Sequence, residues 1–324
     1  MSEQWSRPVA KNDRVRCVAI VGGTHGNERN GVYLARHFLE AAGPAGPGRS
    51  YDLMVEEANT EAIQNNVRYT QRDLNRCFLL EDLGNPKLKS NYEDNRAKEL
   101  NQLLGPKTSS RPRCDYIFDL HNTTASTGVA LMMHPRDTFS HGMAAYLVSI
   151  DPTVKIFMWG SNERPLLPTV GRSGMTFEVG PVAWGCMNAE LFMQSKRLLE
   201  ASMWYIEQHN QGLAGLGPTY NRFTLPAFRG AGSVGYPRNK KGDIAGIHHP
   251  LVQGKDLEVE LTGKSPVFVM FDGTERHLRE FTSASGVYPM FVNEAAYVEK
   301  DMAFMLCSKF ALDVETLTIP RTTL

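Results

Sequence analysis

Six short apolar runs punctuate the first 180 residues, at Cys17–Val21, Tyr51–Glu56, Asp115–His121, Val129–His134, Val154–Trp159 and Met175–Val179. They are rich in Val, Ile, Phe and Met and too short for buried helices, so they predict strands. Amphipathic stretches lie between them. "NGVYLARHFLEAAG" sets Val32, Ala35, Phe38 and Leu39 along one stripe and stops at a glycine. "SNYEDNRAKELNQLLGP" opens on a Ser90-x-x-Glu93 capping box and closes on Gly105–Pro106. "NAELFMQSKRLLEASMWYIEQHNQG" is the longest helix, spaced by Leu191, Leu198, Leu199 and Ile206. Strands alternating with helices imply an α/β fold, a largely parallel sheet with helices on both faces.

The texture changes after Gly212. "GLAGLGPTYNR" is rich in Gly and Pro, and short strand-like runs follow, "FTLPAF", "GSVGYP" and "PVFVMF". A boundary near residue 215 is expected, with an α/β domain over 1–215 and a smaller β-rich domain over 216–324. With 324 residues, one large domain or two is the natural size. Lys+Arg and Asp+Glu balance at 35 each, so no overall field selects nucleic acid or an anionic membrane. A homo-oligomer is compatible with the sequence.

The N-terminal "MSEQWSRPVAKNDRVR" has no apolar core of a targeting segment, and no apolar run is long enough to span a bilayer. The five cysteines, Cys17, Cys77, Cys114, Cys186 and Cys307, are scattered and never form C-x-x-C. They predict neither a disulfide framework nor a cysteine zinc knuckle, and they fit a reducing cytoplasm.

The first strand empties into "GGTHGNE", which puts His25 and Glu28 at its C-terminal end, where open α/β sheets place ligands. Imidazole plus carboxylate is a usual zinc pair, and a catalytic site wants a third protein ligand and an open position. "DYIFDLHNTT" delivers His121 to a second strand end, with Asn122 beside it. Asp119, two residues before His121, points to the same side and can hold its imidazole. "NVRYTQRDLNRCF" gathers Arg68, Arg72, Arg76, Asp73 and Asn75 in one loop, cations suited to a substrate carbonyl or carboxylate. In "MTFEVGP", Glu178 sits within an apolar strand, where desolvation raises a carboxyl toward the range of a general base. "IVGGTHGNE" has neither the G-K-[ST] of a phosphate loop nor G-x-G-x-x-G spacing. His248 and His249 precede Pro250 and are expected to face solvent, Met132 and Met133 to belong to the sheet core, and His37 is given no role.

Taken in order, "GGTHGNE", "RDLNR", "DLHNTT", "EVGP" and "VYPMFVNEAAYVEK" resemble the aspartoacylase and aminoacylase-3 family, within the zinc carboxypeptidase-like group that includes succinylglutamate desuccinylases. The resemblance spans roughly residues 17–300. It implies a zinc-carboxypeptidase-like sheet and one zinc ion on His25, Glu28 and His121. Glu178 would be the general base and proton shuttle, and Arg68 the arginine that polarises the carbonyl. Asn75 and Arg76 would grip the substrate α-carboxylate, and Tyr297 of the C-terminal domain would close over the substrate.

The departures bear on selectivity. Aspartate-selective members carry an Arg where this chain has Pro168, a Tyr where it has Arg164, and a Lys where it has Asp301. Arg164 or Arg172 could stand in from another backbone position. The expected activity is zinc-dependent hydrolysis of N-acyl-L-amino acids, leaning to neutral or aromatic side chains. The alternatives are an aspartoacylase selective for N-acetyl-L-aspartate, a metallocarboxypeptidase, and a binding protein without turnover.

Overall fold

The computed structural model describes residues 8–42, 49–85, 91–160, 165–213 and 220–317. Its first half alternates as expected: β1 (Cys17–Gly22), α1 (Arg29–Ala42), β2 (Asp52–Glu57), the short α2 (Thr60–Asn65) and α3 (Leu80–Leu83), α4 (Tyr92–Leu104) and β3 (Tyr116–Asn122). Next come β4 (Gly128–Met133), α5 (Thr138–Ile150), β5 (Lys155–Met158), β6 (Ser173–Gly180) and α6 (Ala189–Leu213). The remainder is β-rich: β7 (Tyr220–Val234), β8 (Gly246–His248), β9 (Pro266–Met270), β10 (Glu275–His277), β11 (Tyr288–Met290), the single turn α7 (Ala295–Val298) and β12 (Phe304–Leu317).

Nine strands make one sheet in the order β11-β12-β7-β5-β4-β6-β3-β1-β2, and β10-β9-β8 make a small second sheet. β2, β1, β3 and β6 run parallel; β4 turns antiparallel to β6, and β5 and β7 follow β4 in parallel. One face of the pleat carries Val18, Ile20, Phe118, Leu131, Met175 and Phe177, covered by α1, α5 and α6 in the main core. On the opposite face Cys17, Ala19, Val21 and Ile117 pack against Ala97, Leu100 and Leu104 of α4. Helices therefore cover both faces, but the α4 side is only partly covered, and the gap there holds the site.

Several local expectations are corrected. In α1, Val32, Leu34, Ala35 and Phe38 are buried, whereas Leu39 is 57% exposed and leaves the stripe. Ser90 lies outside the described residues; Asn91 caps α4, its side chain accepting from the Asp94 N–H at 2.8 Å. Glu93 turns instead to the arginine loop, accepting from the backbone N–H groups of Thr70 (2.6 Å), Gln71 (3.2 Å) and Arg72 (3.2 Å). "FTLPAF" and the start of "GSVGYP" belong to one 15-residue strand, β7, which pairs with β12 and docks on β5 through Phe157↔Phe228 and Met158↔Arg229. The C-terminal segment thus extends the main sheet. Residue 215 lies outside the described residues.

Two buried carboxylates tie that segment to the end of β3. Asp256 accepts from the Ser126 N–H (3.2 Å) and the Val292 N–H (2.9 Å). Glu294 accepts from the Thr123 hydroxyl and, at 2.7 Å, from the Thr124 N–H. His248, expected at the surface, is buried in β8, its Nε2–H donating to the Ala303 carbonyl at 3.0 Å. The cysteines are free, four buried and Cys186 exposed. Among the described residues no helix is long and apolar enough to cross a membrane.

Candidate metal centre

β1 releases the chain at Gly22 into a tight turn that brings His25 and Glu28 back together, the Glu28 N–H bonding to the His25 carbonyl at 3.2 Å. Gly26 has to be glycine here, because a Cβ would meet the Ala62 carbonyl carbon of α2 at 2.0 Å. His121 arrives from β3, whose parallel neighbour β6 sets Glu178 directly across from it. His25, Glu28 and His121 are all buried and present ligand atoms within 4.8 Å of one another.

The donor set of these three residues fits a metal ion. His25 Nε2 faces Asp73 Oδ1 at 3.0 Å and His121 Nε2 faces Asp119 Oδ2 at 2.8 Å. Each carboxylate takes the Nε2–H and so leaves the Nδ1 lone pair free to ligate. Those two Nδ1 atoms lie 3.2 Å apart and contact Glu28, at 2.6 Å from His25 and 2.9 Å from His121. Two imidazoles and a carboxylate converging on one buried point call for shared positive charge, which a metal ion supplies. The electrostatics agree. Burial works against the Glu28 charge, yet His25 and His121 hold its carboxyl well below the usual range. Asp119 and Glu28, also against burial, hold His121 well above the usual imidazole value.

The surrounding groups are fixed in turn. Thr24 donates its hydroxyl to Asp119 at 2.7 Å, and the Asn122 N–H donates to Glu28 at 2.8 Å. The Asn122 side chain turns to the Gly31 N–H, 3.4 Å away. Arg68 donates to Glu28 at 3.0 Å and lies 3.7 Å from Asp73. Asn75 accepts from the Leu167 N–H at 3.1 Å, while Arg76 donates to the Asn75 carbonyl at 2.8 Å and has no acidic partner among the described residues. Glu178 behaves oppositely to Glu28: burial pushes its carboxyl up to about 8, against the pull of His121. Burial, with Glu178 nearby, pushes Tyr297 up to about 12.

All of these sequence-predicted residues, His25, Glu28, His121, Glu178, Arg68, Asn75, Arg76, Asn122 and Tyr297, line one cavity of about 470 Å³. Its other wall is mainly apolar, built from Met132, Phe157, Met158, Trp159, Phe291 and Met305, with one cation, Arg229 of β7, among them. Met132, expected in the sheet core, therefore faces the cavity, while Met133 is buried. Arg164 lies outside the described residues. Arg172 is held by Asp13 and Asp115 away from the cavity, and Asp301 pairs with Arg238 at 2.7 Å. Sequence reasoning passed over Glu294, which also lines the cavity, and Lys300, whose Nζ lies 4.0 Å from Asp73. Both stand in "NEAAYVEK", whose Tyr297 alone had been singled out.

Comparison with known proteins agrees with this geometry. Residues 14–206 match the succinylglutamate desuccinylase/aspartoacylase catalytic domain, and residues 223–309 the AstE/AspA barrel-sandwich hybrid domain. A Homo sapiens protein named N-acyl-aromatic-L-amino acid amidohydrolase (carboxylate-forming) is 38% identical, covering 97% of this chain and 95% of its own. A probable aspartoacylase of Nostoc sp. is also 38% identical, covering 92% and 97%. The crystal structure of murine aminoacylase 3 superimposes with a TM-score of 0.85 at 36% identity, covering 94% of this chain and 99% of that one. A triad that could hold a metal ion at parallel strand ends, a carboxylate across the ladder and a β-rich extension of the sheet thus come with a match over nearly the whole length: the chain belongs to the succinylglutamate desuccinylase/aspartoacylase family.

Proposed function

We propose that this protein is a zinc-dependent N-acyl-L-amino-acid amidohydrolase that releases a carboxylate and the free amino acid, preferring neutral or aromatic side chains. The observation that carries the proposal is the pairing of the His25–Glu28–His121 cluster with Glu178 in a cavity whose far wall is mainly apolar. Zinc held by those three side chains, one ion per chain, supplies Lewis acidity to the acyl carbonyl and the attacking water.

The protein's own groups do the rest. Glu178 accepts the water proton as it attacks and returns it to the amine nitrogen as the C–N bond breaks. A carboxyl raised by burial suits that double task, and a cation at the cluster draws it back toward neutrality. Arg68 donates to the developing oxyanion, in a cavity where water competes little. Arg76 grips the α-carboxylate, with Asn75 holding the loop in place. Tyr297 covers the substrate from the C-terminal segment. Domain division near residue 215 fits the gap between the two matched regions, 14–206 and 223–309, and the free cysteines suit a cytoplasmic location.

A second reading, selectivity for N-acetyl-aspartate, is favoured by Arg229, a cation that lines the cavity. Zinc analysis with a deacylation panel of N-acetyl-Asp, -Glu, -Phe, -Tyr and S-substituted N-acetylcysteines tests both. Higher kcat/KM on the aromatic members supports the first reading; a clear preference for N-acetyl-aspartate supports the second. Turnover of none of them by zinc-loaded protein would sink both.

A further inference from the structure

β7 carries two glycines two residues apart, Gly230 and Gly232, where its ladder with β12 slips by one position. Gly232 stands opposite Leu306 and Gly230 opposite Cys307, which leaves Ala231 bulged out of the pairing. Gly232 has φ 140°, a conformation that requires glycine. Gly230 does not share it. A Cβ built on Gly230 would meet only Met305 Sδ at 3.6 Å and Phe157 Cζ at 4.0 Å, both ordinary contacts. Neither strain nor a close backbone approach accounts for the missing side chain, and glycine weakens a strand interior.

The cavity accounts for it. Gly230 lines the cavity beside Met132, Phe157, Trp159, Met305 and Arg229, and it is itself exposed, which puts it at the open end of the apolar limb. It follows Phe228, the register partner of Phe157, by two residues and so returns to the same face of the pleat. From this geometry we infer that Gly230 keeps the open end of the apolar limb clear, making it the residue that admits an aromatic-sized group joined to either side of the scissile amide. The inference rests on the hydrolytic reading above. The group is either the amino-acid side chain or the acyl moiety, and the two sources are separable by experiment.

Zinc-loaded full-length protein, wild type, Gly230→Val and Gly230→Leu, is assayed on N-acetyl-alanine, N-acetyl-phenylalanine and N-benzoyl-alanine. Filling the limb denies a phenyl-sized group its burial, so the kcat/KM ratio of the bulky substrate to N-acetyl-alanine falls roughly ten- to a hundredfold in Gly230→Leu. Whichever bulky substrate loses its advantage identifies the source. Unchanged ratios for both overturn the inference. Should Gly230→Leu not melt cooperatively, Gly230→Val, whose side chain suits a strand, carries the comparison. If the wild type hydrolyses none of the three, the hydrolytic reading fails on its own account. Tryptophan fluorescence, with Trp159 in the limb, then reads N-acetyl-phenylalanine binding directly, and equal affinity in wild type and Gly230→Leu overturns the role of Gly230.

Discussion

The two walls of the cavity are built on opposite principles. The wall from β1, β3 and the 68–76 loop consists of charges, most of them answered by another: His25 by Asp73, His121 by Asp119, Glu28 by Arg68 and both imidazoles, with Arg76 bonded to the Asn75 carbonyl. The facing wall, from β4, β5, β7 and β12, offers mainly methionines and aromatic rings, with Arg229 the one basic side chain among them. A buried charge network has one good arrangement and makes any loss expensive. A thioether-lined surface repacks around what enters it. On the proposed reading, chemistry belongs to the rigid wall and choice of substrate to the adaptable one.

The sharpest way to break this contrast is His121→Ala. It removes a ligand and strands Asp119 without its partner, so zinc content should fall from about one per chain and activity should vanish with it. Full metal retention would show that the polar wall does not hold the ion. Next in size is Glu178→Gln, expected to keep zinc and fold while kcat drops on the order of 10² to 10⁴. An active variant would remove Glu178 from the proton path. Arg76→Ala should cost about 10- to 100-fold in kcat/KM on N-acyl amino acids but little on their amides, the range of a charge-assisted hydrogen bond. Equal losses on acid and amide would deny Arg76 its carboxylate.

The smallest effect sharpens the contrast through a third histidine. For His134, just past β4, burial, with Arg136 beside it, lowers its pKa to about 4, and its Nδ1 accepts from the Arg136 N–H at 3.1 Å. Between about pH 6.5 and about 4 the unfolded chain binds a proton here that the folded chain refuses. Stability contributed by neutral His134 is therefore present above that window and lost as the pH falls through it. Urea midpoints at pH 7.5 and 5 should differ less in His134→Asn, which keeps an acceptor, than in the wild type. An undiminished difference would move the acid sensitivity elsewhere.

The candidate metal cluster was legible because β1 and β3 have plain patterns: His25 and Glu28 lie in the turn that follows β1, and His121 at the end of β3. What depended on distant partners was not. Glu93 reads as a cap from its neighbours, but its partners, Thr70 to Arg72, lie in another loop. Glu294 meets Thr123 and Thr124 across some 170 positions. Pro226, Gly230 and Gly232 break the alternation of β7, so one long strand reads as two short ones. α5 is buried along most of its length, and without a polar face it shows no helical stripe. His248 looked like loop because its burial is conferred by Ala303 and the rings of Tyr236 and Phe268.

The docking of β7 onto β5 has a consequence for inheritance. A stop codon after α6 would leave Lys155–Met158 as a bare strand border with three buried side chains, an invitation to pair with another chain. Such a truncation would yield aggregate rather than a smaller enzyme. The gene is therefore expected to lose everything when cut in two at the junction between the matched regions.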